Sequence, residues 1–177
     1  MTDEPPSPAG RPGSAREIDI IHENAAWQAA LPEVDRLVRE TVLVGLQHLE
    51  EDLEVCVVLG DDPLLQDLNR NFRDKDRATN VLSFPSDDLL PDGLRLLGDV
   101  VLSYETCARE AHEQDKSLAD HTRHLTLHGV LHLLGYDHEA AEDAEEMEGL
   151  EVELLAGLGI ANPYADGVLR TAGKDEP

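Results

Sequence analysis

Residues 128–138 read His-Gly-Val-Leu-His-Leu-Leu-Gly-Tyr-Asp-His, and the prediction of the fold starts from this stretch. Its first two histidines, His128 and His132, are four residues apart, which places both imidazoles on one face of a helix. Gly135 can adopt the left-handed conformation that ends a helix and turns the chain. We therefore predict a helix through both histidines and a turn that brings His138 back beside them.

This spacing, H-x-x-x-H-x-x-G-x-x-H, is typical of a metzincin zinc site. Three neutral ring nitrogens bind a cation such as Zn²⁺ and leave the fourth coordination position for water, as catalytic zinc sites do. The metal lowers the pKa of that water toward neutrality. We therefore predict that His128, His132 and His138 hold one Zn²⁺ per chain. Metzincins carry a glutamate general base directly after the first histidine, whereas this chain has Gly129, so proteolysis by the zincin mechanism is disfavoured.

The other histidines lack this arrangement. His124 lies one helical turn before His128 on the same face. A supporting contact to the metal site, and a helix-packing or solvent-facing role, are both open interpretations. We interpret the remaining four as structural: His22, His48, His112 and His121.

A second feature is a basic segment at 68–80, which carries four of the fourteen basic residues against two aspartates. A positive loop beside a strand is a candidate phosphate clamp, because one guanidinium can grip two phosphate oxygens. Charged loops also commonly pair with their own aspartates or face solvent, and this alternative stays open. The four basic residues are Arg70, Arg73, Lys75 and Arg77.

Length and composition indicate a single domain with flexible ends. The chain has 177 residues, of which 41% are hydrophobic, enough for one core. Residues 1–16 are rich in proline, glycine and serine, so we predict a disordered N-terminal tail. We place one metal-dependent hydrolase domain at 17–165 and a flexible C-terminal tail at 166–177.

Charge and cysteine content restrict the possible partners and compartment. A net charge of −24 argues against broad affinity for phosphate backbones or anionic membranes, but not against a small basic island. Cys56 and Cys107 have no disulfide-framework spacing, which favours a reducing compartment. The sequence has no long apolar run and no signal-peptide pattern, so we expect a cytoplasmic protein without membrane insertion.

The hydrophobic pattern predicts an α+β fold. The strand-like segments lie near 18–21 and at 53–59, 80–84 and 96–102. Helical spacing is found at 34–49, from Pro63 to Leu68, and at 104–114, 117–134 and 139–158, with a polar loop at 69–79. We interpret the many acidic residues of the last helix as a solvated face.

Together these motifs resemble the YbeY family of bacterial metal-dependent endoribonucleases, which act in ribosomal RNA maturation and ribosome quality control. The similarity spans about 68–164, whereas 17–60 fits only in outline. It rests on 128–138 and on five further segments, at 69–76, 79–85, 97–100, 145–148 and 162–164.

The resemblance implies a small mixed four-stranded sheet packed with about five helices, related to zincins. It also implies that His128, His132 and His138 are the metal ligands and that Arg73 is catalytic, steadying the scissile phosphate. One departure is Ala78, because the family usually has proline before the Thr-Asn pair.

The leading hypothesis is a single-strand-specific endoribonuclease that matures the 3′ end of 16S ribosomal RNA and acts in ribosome quality control. In it, zinc-activated water attacks a phosphodiester, and Asp137 and Glu139 are candidate general bases only. The expected partners are RNA and a ribosomal protein or assembly GTPase, with no DNA and no membrane. Two alternatives remain: a zinc hydrolase with another substrate, and a metal-binding ribosome-assembly scaffold without catalysis.

Overall fold

The computed structural model describes residues 15–136 and 141–163. His138, Asp137 and Glu139 therefore lie outside the described residues, as do 1–14 and 164–177. The first strand begins at Arg16, so the predicted N-terminal tail overlaps the sheet by one residue.

A mixed sheet of four strands forms the centre of the described part of the chain. Its strands are β1 (Arg16–His22), β2 (Leu53–Gly60), β3 (Val81–Pro85) and β4 (Arg95–Ser103), in the order β1-β2-β4-β3. The first, second and fourth strands are parallel, and β3 runs antiparallel to β4 at one edge. This architecture confirms the predicted α+β fold and mixed sheet.

Six helices accompany the sheet in the described ranges: α1 (Ala26–Ala30), α2 (Val34–Gly45), α3 (Asp62–Arg73), α4 (Tyr104–Glu113), α5 (Leu118–Leu133) and α6 (Ala141–Gly157). The sequence pattern does not predict α1, which has only five residues. It is anchored by tertiary contacts, because Trp27 is fully buried and its indole N–H donates to the carbonyl of Gly60 at 2.9 Å.

The predicted loop at 69–79 is wrong in its first part, because α3 continues to Arg73. Asp61 caps the start of this helix by accepting from the amide of Leu64. Asp74 ends it in the left-handed conformation, with φ of 59°. The polar composition of 69–73 hid this last turn, since its side chains are mostly exposed and give no apolar repeat.

The two faces of the sheet carry different helices. On one face, α2 and α5 pack against β2 and β4 in a core that includes Val57, Val100 and Val130. On the other face, Leu65 of α3 packs with Leu82 and other side chains of the sheet. The helix α5 also packs against α6 on its far side, so most of its surface is buried, including the polar side chains of His121, Thr122, His124 and Thr126.

No helix in the described ranges combines the length and the hydropathy needed to cross a membrane.

Candidate metal centre

The imidazoles of His128 and His132 converge on one point beside α5. Their Nε2 atoms are 3.0 Å apart, and the ring centroids are separated by 4.6 Å. The two rings therefore lie side by side in α5, as the helical spacing predicts. The approach of His138, which is outside the described residues, stays a prediction.

The other nitrogen of each ring fixes which tautomer is present. The Nδ1 atom of His132 lies 2.9 Å from the carbonyl oxygen of Tyr136, and that of His128 contacts a carboxylate oxygen of Glu151. Both partners only accept hydrogen bonds, so each Nδ1 must carry the proton. In the neutral rings both Nε2 atoms then present lone pairs to the same point, which suits a shared cation such as Zn²⁺.

Gly135 makes the contact to His132 possible. Its φ is 102°, in the left-handed region, as the sequence prediction required. The amide of Tyr136 donates back to the carbonyl of Leu131 at 3.1 Å, which closes the end of α5. This turn places the carbonyl oxygen of Tyr136 within hydrogen-bond distance of Nδ1 of His132.

The carboxylate of Glu151 is a functional candidate that the sequence reasoning missed. It projects from α6 into the core and is fully buried, so the prediction of a solvated acidic face is wrong at this position. Burial alone would raise the pKa of Glu151, but the electrostatic interaction with the imidazole of His128 and the hydrogen bonds from His124 and His128 hold it below its ordinary value. The available signal was its position in the apolar stripe of α6, between Met147 and Leu154.

His124 completes this arrangement from the preceding turn of α5. Its Nε2 atom lies 3.2 Å from Glu151, on the oxygen that His128 does not use. Burial lowers the pKa of His124, with the hydrogen bond to Glu151 acting in the opposite direction. Of the two open interpretations, the structure therefore favours a hydrogen-bonded support over simple packing.

The glycine after the first histidine has a structural cause. A Cβ atom on Gly129 would lie 2.6 Å from Cγ1 of Val100 and 3.1 Å from the hydroxyl oxygen of Ser83. That hydroxyl donates to the carbonyl of Gly129 at 2.9 Å, which fastens α5 to β3. Position 129 therefore faces the sheet at close range and has no room for the glutamate of zincin proteases.

The guanidinium of Arg73 reaches the edge of the sheet at β3. It donates to the carbonyl of Ser83 at 2.8 Å and lies over the ring of Phe84, 5.6 Å from the ring centroid. Although α3 and α5 pack on opposite faces, Ser83 contacts both, since its hydroxyl bonds Gly129 beside His128. A cleft shared by Arg73 and the histidines stays a prediction, supported by this chain of contacts.

Aspartates in and next to the basic segment partly neutralise it. Arg70 pairs with Asp67 at 2.7 Å and with Asp76 at 3.5 Å. The alternative of local pairing therefore applies to Arg70, whereas the recorded hydrogen bond of Arg73 goes to a backbone carbonyl. This difference singles out Arg73 as the better phosphate contact of the two.

Comparisons with known proteins show which proteins this chain is similar to. The family model described as Endoribonuclease YbeY matches residues 20–159. A protein of Agrobacterium fabrum strain C58 named Endoribonuclease YbeY is 53% identical over 162 residues, covering 86% of this chain and 96% of its own. A protein of the same name from Paramagnetospirillum magneticum is 49% identical over 158 residues, covering 85% and 96%. The solution structure of TM1509 from Thermotoga maritima aligns with a TM-score of 0.48 at 24% identity, covering 82% of this chain and 97% of that one.

Proposed function

Because the chain belongs to the endoribonuclease YbeY family, we propose that it is a zinc-dependent endoribonuclease specific for single-stranded RNA. Its proposed role is ribosomal RNA processing, at the 3′ end of 16S ribosomal RNA, together with ribosome quality control. The observation that carries the proposal is the convergence of the Nε2 atoms of His128 and His132, 3.0 Å apart with both Nδ1 atoms bonded to acceptors.

The residues present fit a zinc ion. Two neutral nitrogens with lone pairs directed to one point match the ligand chemistry of zinc, and His138 is the proposed third ligand. When bound, the ion would act as a Lewis acid that makes water nucleophilic near neutral pH. The absence of a side chain at Gly129 argues against a protease using the same ligands.

Arg73 is the proposed contact for the scissile phosphate. A guanidinium can donate two parallel hydrogen bonds to phosphate oxygens, whose charge grows during the displacement. The bond to Ser83 and the ring of Phe84 would hold this side chain in place at the edge of β3. Its contribution would then be to orient the phosphate and to stabilise its developing charge.

The overall charge affects how RNA would reach the site. At −24, the long-range field of the chain repels a polyanion, so contacts near Arg73 would act at close range. We expect recruitment by a ribosomal protein or an assembly GTPase, in the cytoplasm where ribosomes are built. The proposal includes no role for DNA or for a membrane surface.

Cleavage of the single-stranded segments of a structured ribosomal RNA by the purified chain tests the proposal. We expect cleavage by the native protein, and its loss after metal removal with a chelator or after His132→Ala. His48→Ala is the matched control, because His48 is exposed and lies outside the site. Chelator-resistant cleavage that His132→Ala leaves unchanged would contradict the proposal. Stoichiometric zinc with no cleavage of any RNA tested would favour the scaffold alternative instead.

A further inference from the structure

The carboxylate of Glu151 is buried, unlike the exposed acidic side chains of the same helix. Its relative exposure is 0%, although α6 is otherwise acidic on its outer surface. The exposed acidic residues of this helix are Glu142, Asp143, Glu145, Glu146 and Glu153. Burying a carboxylate is costly unless strong hydrogen bonds satisfy both oxygens.

Both oxygens of Glu151 are satisfied by histidines of α5. One accepts from Nε2 of His124 at 3.2 Å, and the other accepts from Nδ1 of His128. His124 is itself nearly inaccessible, with 4% relative exposure. The carboxylate therefore has a fixed position between two rings that α5 holds one turn apart.

The two histidines use different nitrogens toward this carboxylate, and that difference assigns different roles to them. His128 uses Nδ1, so its Nε2 lone pair stays directed toward His132. His124 uses Nε2 to contact the carboxylate, so this nitrogen is directed away from the metal point. His124 can therefore hold the carboxylate of Glu151 by a hydrogen bond, whereas His128 keeps Nε2 for the metal.

We propose that Glu151 is a positioning residue, which holds His128 in the tautomer and ring orientation that present Nε2 to the metal, while His124 steadies its other oxygen. This inference rests on the proposed function, because it concerns the same zinc ligands. An acceptor behind a ligating imidazole also increases the basicity of the ring, and losing such a partner typically weakens metal binding about 10- to 100-fold.

Zinc affinity of the metal-stripped full chain tests this role without an activity assay. Glu151→Gln keeps the shape of the side chain, but its amide cannot accept from both histidines. We expect a loss of zinc affinity of about 10- to 100-fold, measured by competition with a chromophoric chelator. Cobalt substitution should also show altered absorption bands, because the orientation of one ligand changes.

Glu153→Gln is the matched control, since it removes one exposed carboxylate from the same helix. It should leave zinc affinity and the cobalt spectrum unchanged. If Glu151→Gln does not fold by circular dichroism, Glu151→Asp is the second variant. It keeps the charge on a shorter side chain, and it should bind zinc more weakly than the native chain.

Native zinc affinity in a folded Glu151 variant would overturn the proposal, even if denaturant unfolding showed lower stability, because that result would mean a purely structural role. Failure of the native metal-stripped chain to take up zinc is a separate result. It would reject the zinc centre of the proposed function, and the positioning role with it.

Discussion

Substituting Gly129 by alanine tests how closely the metal-bearing helix approaches the sheet. The added Cβ would lie 2.6 Å from Cγ1 and 3.2 Å from Cγ2 of Val100. Val100 is fully buried in β4, so it cannot move aside without disturbing its own neighbours. Overpacking of this kind costs about 1–3 kcal/mol, whereas replacing glycine by alanine in a helix gains up to about 1 kcal/mol.

The same substitution at Gly149 is the matched control. This glycine is an exposed position of α6, and a Cβ added there meets nothing within 4 Å. Gly149→Ala should therefore raise the free energy of unfolding by up to about 1 kcal/mol, through helix propensity alone. Gly129→Ala should lower it, which leaves the two variants about 1–3 kcal/mol apart.

Urea unfolding at constant pH, followed by circular dichroism, measures both free energies. Val100→Ala removes both contacting methyl groups, so the double variant Gly129→Ala/Val100→Ala should be more stable than the sum of the single effects predicts. Equal stability of Gly129→Ala and Gly149→Ala would mean that the helix has room for a side chain at position 129. Additive effects at positions 129 and 100 would also show that the close approach does not govern the choice of glycine.

Three further predictions concern the substrate, the salt dependence and the response to acid. Arg73→Lys should fold normally but cleave RNA at least about tenfold more slowly, because lysine cannot donate in parallel to two phosphate oxygens; unchanged initial rates would remove Arg73 from the mechanism. RNA affinity should change little, or rise, from low to moderate salt, because salt screens the repulsion between RNA and a chain of charge −24. A steep fall of affinity with salt would indicate contacts with many phosphates and would contradict this expectation. Glu110 is partly desolvated, but hydrogen bonds from His121 and Asn80 hold its pKa below the ordinary value. The contribution of Glu110 to stability should therefore be present above the pKa of an unfolded glutamate, about 4.3, and be lost as the pH falls below that value. Glu110→Gln should remove that part of the acid dependence of the free energy of unfolding in urea.

The successes and errors of the sequence prediction have a common physical origin. The strand at 53–59 is predicted correctly because its buried apolar residues alternate along the chain. The helix from 117 is predicted correctly because Ser117 caps its start and Gly135 ends it. The last turn of α3 was missed because residues 69–73 are mostly polar and exposed there. The helix α1 was missed because it is short and depends on the burial of Trp27 against the end of β2.

The class of fold and the pairing of His128 with His132 follow from local sequence patterns, because helical periodicity makes residues four apart neighbours whatever surrounds them. The sequence also predicted the turn at Gly135, since glycine tolerates the positive φ found there. Two contacts depend instead on the tertiary structure. Glu151 of α6 is buried against His128, and Arg73 of α3 donates to the carbonyl of Ser83 from the opposite face of the sheet. These contacts join residues distant in sequence, so they depend on how α3, α5 and α6 pack around the sheet, and no local pattern encodes that packing.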